Sequence, residues 1–355
     1  SVSSRCAVMT ADDSTPKASD EADTITRVPN SMRARSSDDK PADERAERPQ
    51  VQDPTIPSAD LENAGAAKGG RASPTWEGPE VGTLIGDAYR VVGPLGQGGM
   101  GVVVLAVDER LERDVAIKLI RPAFTRNANA RERFLIEARA MARVRHENVV
   151  EIFAFGELAQ TPYFVMEYVP GTNVANWLDD GILEDRLPSI DEALGYLDQV
   201  CRGVGAIHTS GAVHGDLKPS NLLIGPSSRL AVADMGLSRL FDPKGRLGDH
   251  PMAGTPAYMA PEFARTDLPR ELVQRGDVYA LGVIAFEMLT GRQPFEIEST
   301  SDMLAAHRGG RPPLPSLVRP DLTTAFDAPL LQAPRKVQLH ISSTFKFFIY
   351  HIIHP

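Results

Sequence analysis

The chain of 355 residues contains 42 % hydrophobic residues, with 38 Lys and Arg against 47 Asp and Glu, a formal net charge of −9. A chain of this length buries a large core, and its acidic balance excludes the basic surface by which proteins bind nucleic acids. No window reaches the roughly 18 apolar residues of a membrane-spanning helix, and the first residues lack the apolar core of a signal peptide.

The N-terminal region differs in composition from the rest. Residues 1–80 contain 10 Lys and Arg, 15 Asp and Glu, and one aromatic residue, Trp76. Their Pro, Ser, Asp and Ala residues follow no helical or strand period, so we predict a disordered acidic tail over residues 1–83. Cys6 in this tail and Cys201 further along have no metal-ligand or redox spacing, and a reducing cytoplasm is the simplest expectation.

Three predicted antiparallel strands follow from Tyr89, with the sequences YRVVGPL, VVVLAVD and DVAIKLI. The first turn places Gly96, Gly98 and Gly101 in a GxGxxG pattern, where missing side chains let backbone amides approach phosphate oxygens. Dinucleotide-binding folds share this spacing, and a plain flexible hairpin is a further alternative. A second strand follows where the dinucleotide-binding fold needs a helix, which favours a hairpin lid over a nucleotide.

Lys118 ends the VAIK run on the third predicted strand, where a charge among apolar neighbours needs a partner. Residues 128–144 are predicted to form a helix that carries Glu137 on the flank of its apolar stripe. The members of that stripe are Phe134, Ile136, Ala140, Met141 and Val144. In the simplest interpretation both charges are ordinary surface residues. We favour an ion pair that holds Lys118 against the α- and β-phosphates of a nucleotide.

A connector is predicted at residues 167–171, after one more strand from Tyr163 to Met166. Its sequence, EYVPG, follows the apolar run YFVM and ends in a Pro-Gly pair typical of a turn. We predict that adenine binds to the backbone of this connector, at Glu167 and Val169.

The clearest predicted helix spans residues 189–210, with a capping box at its start and a glycine after its end. It delivers the polar loop HGDLKPSN. In this loop Asp216 can accept a proton, Lys218 can meet a phosphate oxygen, and Asn221 can ligate a hard metal ion. Asp234 follows a short apolar strand and is either a turn residue or the second protein ligand of a magnesium ion.

These motifs in this order resemble the eukaryotic-like serine/threonine protein kinases of bacteria. The resemblance covers about residues 89–333 and also includes GTPAYMAPE and RGDVYALG. It implies an α+β, two-lobed protein kinase fold with a small β-rich lobe and a helical large lobe. The implied boundaries are a kinase domain at 84–333, made of a small lobe at 89–166, a hinge at 167–171 and a large lobe at 172–333.

The resemblance also implies ATP and Mg²⁺ as cofactors and roles for the loop residues. Asp216 would be the catalytic base, and Lys218 would contact the γ-phosphate. Asn221 and Asp234 would bind Mg²⁺, and Asp277 would brace the catalytic loop from a buried helix. The implied lining of the adenine site, equally explained as ordinary core, is Val103, Ala116 and Leu223.

The implied partners are protein substrates with Ser or Thr acceptors. Lys218, two residues after Asp216, and Thr255 in GTPAYMAPE favour the serine/threonine branch over the tyrosine branch. The 16 Ser and Thr residues in positions 1–80 offer sites for autophosphorylation.

The C-terminal segment departs from the family pattern. Residues 334–355 are Pro-interrupted and rich in β-branched, aromatic and His residues, where the family continues through two helices. We predict that they form a divergent tail, that the large lobe is truncated, and that Glu262 of GTPAYMAPE lacks its usual partner. The alternative function is therefore a truncated, inactive kinase-fold module for binding or scaffolding.

The predicted catalytic and activation loops depart as well. Met235 stands in place of a Phe, which it can replace as an apolar plug. Gly215 stands where the family has an Arg that clamps an activation-loop phosphate, and residues 239–254 contain no Ser, Thr or Tyr. We predict a loop that orders without phosphorylation; a disordered loop in a weak enzyme is the alternative.

Overall fold

A computed structural model describes residues 76–98, 101–184, 186–235, 256–261, 270–297 and 299–332. Most of the predicted acidic tail and all of the divergent C-terminal tail lie outside these residues. The predicted activation loop at 239–254, Thr255 and Glu262 also lie outside them. Among the described residues, no helix combines the length and apolar character needed to cross a membrane.

The small lobe is built on a six-stranded sheet in which every neighbouring pair is antiparallel. The order is β1-β2-β3-β4-β6-β5. The strands are β1 (Leu84–Ile85), β2 (Tyr89–Gln97), β3 (Gly101–Asp108), β4 (Arg113–Ile120), β5 (Ile152–Leu158) and β6 (Thr161–Glu167). The three strands predicted from Tyr89 are confirmed as β2 to β4, whereas β1 and β5 were not predicted. A glycine interrupts the β5 run IFAFGEL.

The alternation of side chains along β4 decides which residues face the site. Val115, Ile117 and Leu119 belong to an apolar cluster on one face of the sheet. Ala116 and Ile120 belong to a second, larger cluster on the other face, which includes helix residues. Successive side chains in a strand point to opposite faces, so Lys118 shares the face of Ala116 and Ile120.

Helix α1 (Ala128–Met141) begins at Asn127, whose side chain accepts a hydrogen bond from the Ala130 amide. Its buried residues are Ala130, Phe134, Glu137, Ala138 and Met141. The predicted stripe is thus partly wrong, because Ile136 and Ala140 are half-buried and Glu137 lies on the inward face rather than on its flank. A buried carboxylate at this position requires a partner.

The large lobe consists of helices around a short antiparallel sheet of order β7-β8-β9. The strands are β7 (Thr172–Asn173), β8 (Leu222–Ile224) and β9 (Leu230–Val232). The helices are α2 (Val174–Leu183), α3 (Ile190–Thr209), α4 (Arg270–Thr290), α5 (Thr300–Gly309), α6 (Pro315–Val318) and α7 (Asp327–Gln332). The α+β two-lobed architecture is therefore confirmed.

The predicted central helix is confirmed as α3, with both of its predicted ends. The Ser189 side chain accepts a hydrogen bond from the Glu192 amide at 3.1 Å. Gly211 has a φ of +78°, which glycine adopts at low cost, and its amide bonds the His208 carbonyl. The chain thus turns sharply after α3 and enters the predicted catalytic loop.

Candidate active site

An ion pair joins the sheet to α1. The Nζ atom of Lys118 lies 2.6 Å from Oε1 of Glu137, and the two side chains are 15 % and 7 % exposed. Burial lowers the pKa of Lys118, but the carboxylates of Asp234 and Glu137 outweigh it and raise the pKa above its usual value. The lysine is therefore a fixed cation, and the structure brings together the two residues of the predicted pair.

Asp234 approaches the same lysine from the large lobe. Its Oδ1 lies 3.0 Å from Nζ of Lys118, and 39 % of its side chain is exposed. Burial raises the pKa of Asp234, but the Lys118 charge and hydrogen bond prevail and lower the pKa below its usual value. The residue has a φ of +55°, an uncommon conformation for a non-glycine residue that often marks functional sites.

His214 links the catalytic loop to the strand that precedes Asp234. Its Nε2 lies 2.9 Å from the Ala233 carbonyl, and its Nδ1 accepts from the Asp216 amide at 3.2 Å. Nε2 therefore carries the proton. The ring is fully buried, which lowers its pKa and keeps it neutral. His214 is thus a structural bridge that sets the backbone next to Asp216.

Asp277 on α4 holds the same loop through hydrogen bonds to its backbone. Its carboxylate, 1 % exposed, accepts from the amides of His214 and Gly215, each at 2.8 Å. His208 lies 2.7 Å from it through Nε2. Burial raises the pKa of Asp277, but the His208 hydrogen bond leads the contributions that lower it below its usual value. The predicted brace is present, and His208, in the last turn of α3, is part of it.

The three predicted loop residues lie close together. Nζ of Lys218 lies 3.0 Å from Oδ2 of Asp216, and the Asn221 amide nitrogen donates to the Asp216 carbonyl at 2.8 Å. The Ala233 amide donates to the Asn221 carbonyl at 2.9 Å, which ties this loop to the segment carrying Asp234. A carboxylate, an ammonium group and a side-chain amide are thus held together by hydrogen bonds in one loop.

The donor set fits a magnesium ion bound with a nucleotide. Within the described parts of the chain, no three His, Cys, Asp or Glu side chains group into a metal site. Magnesium commonly needs only one or two protein oxygens and takes the rest from phosphates and water. Asn221 uses its amide nitrogen in the loop, so it offers its amide oxygen, and Asp234 offers a carboxylate.

The predicted adenine lining belongs to one continuous apolar cluster. Ala116 and Val169 are buried in it, and Val103 and Leu223 are partly exposed and pack against it. These residues come from two strands of the small lobe, the hinge and β8 of the large lobe. Apolar side chains of this kind are typical of sites that hold a flat apolar ring.

The hinge has a polar support that the sequence did not reveal. Both nitrogens Nη1 and Nη2 of Arg229 bond the Glu167 carboxylate, the second at 3.1 Å. Nε of Arg229 donates to the Glu147 carbonyl at 2.8 Å. Glu167, predicted to meet adenine through its backbone, therefore uses its side chain to hold the hinge to the turn before β9. No local sequence signal joins residues 62 positions apart.

The described residues of the glycine loop lie at the end of β2 and at the start of β3. The Gly98 amide donates to the Gly101 carbonyl at 2.8 Å. A Cβ at Gly101 would lie 3.0 Å from the Leu119 carbonyl, so packing itself favours glycine there. A Cβ at Gly96 would meet no atom of the described residues within 4 Å. Packing therefore does not require glycine at Gly96, and open space at this position fits a ligand that approaches the backbone.

Comparison with known proteins agrees with this geometry. Residues 89–354 match the protein kinase domain family. The chain belongs to the protein kinase family. The kinase is similar to serine/threonine-protein kinase Pkn1 of Myxococcus xanthus, 37 % identical over 292 residues that cover 80 % of this chain and 40 % of Pkn1. It is also similar to PrkC of Bacillus subtilis, 31 % identical over 73 % of this chain and 39 % of PrkC.

These relatives identify the chain with the bacterial serine/threonine kinases of eukaryotic type, as the motifs predicted. The chain spans about two fifths of the length of these two curated relatives. Among solved structures, the kinase domain of Mycobacterium tuberculosis PknI superposes with a TM-score of 0.58 and 24 % identity, over 78 % of this chain and 98 % of that chain. That likeness shows the fold.

The family match also bears on the C-terminal boundary. The match continues to residue 354 and so includes nearly all of residues 334–355, which we predicted to form a divergent tail. Residues 333–355 lie outside the described part of the kinase, so the domain end at residue 333 stays a prediction.

The Gly215 departure has a structural counterpart in this kinase. Gly215 has a φ of +75°, in the left-handed region that disfavours residues with a Cβ. Its amide is one of the two that bond Asp277. Glycine therefore adopts this left-handed backbone conformation at little cost. The cation that the family carries at this position is missing.

Proposed function

We propose that this chain transfers the γ-phosphoryl group of ATP, in the presence of Mg²⁺, to Ser or Thr hydroxyls of proteins. The observation that carries the proposal is the position of Lys118, 2.6 Å from Glu137 and 3.0 Å from Asp234. One cation thereby joins the sheet, helix α1 and the segment after β9 into a single charged site. Such preassembly is what phosphoryl transfer needs from a protein.

The proposed roles follow from the chemistry of each side chain. Asp216 orients the acceptor hydroxyl and takes its proton, as the oxygen bonds the γ-phosphorus and the bond to the leaving ADP oxygen breaks. Lys218 stabilises the charge on the transferred group, and Lys118 holds the α- and β-phosphates. When bound at Asn221 and Asp234, Mg²⁺ neutralises phosphate charge. These roles bring four of the predicted charged site residues, Asp216, Lys218, Lys118 and Asp234, into one reaction.

Several finer assignments are part of the same proposal. Gly96, Gly98 and Gly101 would approach the phosphates through their amides, and the apolar lining would hold adenine against the hinge at Glu167 and Val169. Autophosphorylation would fall on the N-terminal tail, and the cysteine content favours a cytoplasmic location.

The acceptor is expected to be Ser or Thr. Lys218 contacts Asp216 and so lies at the site where the hydroxyl would bind. A Lys two residues after this Asp resembles the serine/threonine branch of the family. Phosphoamino-acid analysis after incubation with labelled ATP should find phosphoserine or phosphothreonine, with part of the label in the N-terminal tail. Label confined to tyrosine would refute this specificity.

Activity is expected to survive phosphatase treatment. The kinase has Gly215 in place of the clamp cation, and residues 239–254 offer no Ser, Thr or Tyr to phosphorylate. Without either partner, an activation-loop phosphate cannot supply the ordering that charge-assisted bonds give. The test compares turnover before and after treatment. A sharp fall that is reversed by phosphate at Ser238 or Thr255 would contradict the prediction.

A further inference from the structure

A short segment before the first strand contacts the glycine loop. The Glu77 amide donates to Oε1 of Gln97 at 3.0 Å, and Gln97 is the last residue of β2, within the glycine motif. Glu77 precedes the family match, which begins at residue 89. Glu77, which lies outside the residues matched by the family, therefore contacts the glycine loop.

Arg121 makes a second connection between this segment and the loop. It follows β4, three residues after Lys118. Two of its nitrogens bond the two Glu77 carboxylate oxygens, Nε at 3.1 Å and Nη2 closer still. Its third nitrogen, Nη1, donates to the Gly98 carbonyl at 3.4 Å. The guanidinium thus bridges the segment and the loop in the planar fork that suits arginine.

The two charged side chains are not fully exposed. The Glu77 side chain is 34 % exposed and that of Arg121 is 24 % exposed. Hydrogen bonds from Arg121 lower the pKa of Glu77, so the carboxylate is charged at neutral pH. Water competes with such a pair less than with a fully exposed one, although its strength remains modest.

The segment is held by its own local packing. The indole nitrogen of Trp76 donates to the Pro79 carbonyl at 3.4 Å. A Cβ at Gly78 would lie 2.2 Å from the Trp76 ring, so the ring lies directly against this glycine. The turn formed by Trp76 to Pro79 presents Glu77 to the loop and to Arg121.

We propose that Glu77 and Arg121 are positioning residues that hold the glycine loop in place for ATP. The proposal rests on the proposed function, because it assigns ATP to that loop. The physical basis is entropy: a loop that is already ordered loses less freedom when its amides meet phosphates. Neither residue would touch the reacting atoms. Their removal should therefore weaken ATP binding and leave the chemical step unchanged.

The test uses the full chain and three variants, Glu77→Ala, Arg121→Ala and the double variant. The matched control is Glu109→Ala. Glu109 directly follows β3, and its Oε1 lies 2.5 Å from Nε of Arg90 at the start of β2, at the end of these strands away from the glycine loop. Amide hydrogen exchange of a peptide spanning residues 94–103 is measured without nucleotide. The KM for ATP and kcat are measured on the same preparations.

We expect faster exchange in this peptide for all three variants and wild-type exchange for the control. The KM for ATP should rise roughly two- to fivefold, the effect of losing an ion pair of this exposure, at unchanged kcat. The double variant should be no worse than the worse single variant, because the two residues act as one unit.

Three results would overturn the inference. They are unchanged exchange of the glycine-loop peptide in the variants, faster exchange spread evenly over the small lobe, and a double variant whose effects add. If the wild-type protein transfers no phosphate, the proposed function fails by itself. The exchange comparison, made without nucleotide, still decides whether Glu77 and Arg121 hold the loop.

Discussion

Replacing Lys118 by Met is expected to abolish phosphoryl transfer and also to lower the free energy of unfolding. Losing a preorganised charge costs on the order of 3 kcal/mol or more in activation free energy, at least about a hundredfold in rate. The stability loss comes from Glu137, which is 6 % exposed and loses the partner 2.6 Å away. Removing one partner of a buried ion pair costs on the order of 3–5 kcal/mol. Turnover assays and urea unfolding measure the two effects.

A double variant separates these two effects. Lys118→Met with Glu137→Gln removes both charges at similar volume, so most of the lost stability should return. Activity should not return, because the phosphates still lack their cation. Turnover at the wild-type level in Lys118→Met would show that the site is wrongly assigned. A double variant as unstable as the single one would show that the buried Glu137 charge is not the cause.

Asp277→Asn is expected to produce the second large effect, on both the fold and the catalytic loop. The carboxylate accepts hydrogen bonds from the amides of His214 and Gly215 and forms a third with His208. An Asn side chain has one acceptor oxygen and turns an NH₂ group toward at least one of these donors. A buried donor without an acceptor, together with a lost charge-assisted bond, should cost on the order of 3 kcal/mol of stability. Asp216 lies two residues after His214, so turnover should fall as well.

Asp198→Asn is the matched control for this variant. Asp198 pairs with Arg202 on the surface of α3, where ion pairs contribute only about 0.3–0.5 kcal/mol. Urea unfolding and turnover should therefore remain near wild type. An Asp277→Asn protein that unfolds and turns over like this control would disprove the bracing role.

The pH dependence of the Asp277 contribution has a definite sign. The pKa of Asp277 is lower in the folded protein than its usual value of 3.8. A group with a depressed folded pKa stabilises the fold above its unfolded pKa, and this contribution is lost as pH falls through the folded pKa. The difference in the free energy of unfolding between wild type and Asp277→Asn should therefore become smaller only as the pH falls.

The parts of the site that local sequence patterns specify were predictable. The apolar run VAIK placed Lys118 on a strand among apolar neighbours, and the capping box and glycine gave the ends of α3. HGDLKPSN gave the identity of the loop residues because their chemistry is carried by residue type and spacing. For Glu137 the pattern gave the partner but not the burial, since a charged residue on an inward helix face contradicts simple amphipathicity.

Other parts depend on contacts between distant residues. The Arg229 support of Glu167 joins the turn before β9 to the end of β6, and the His208 bond to Asp277 joins α3 to α4. Arg121 and Glu77 are 44 positions apart and belong to no shared motif. Such pairs are set by the tertiary fold, so periodicity and local spacing carry no signal for them.

The most direct test of the account is an ATP-consumption and phosphate-transfer assay on the purified chain, run with Asp234→Asn in parallel. Casein serves as a generic Ser/Thr acceptor, and Mg²⁺ is present or removed by chelation. We expect Mg²⁺-dependent transfer of the γ-phosphate to Ser or Thr in the wild type and background transfer in Asp234→Asn. Nucleotide binding without transfer in the wild type, or equal transfer by the two proteins, would contradict it.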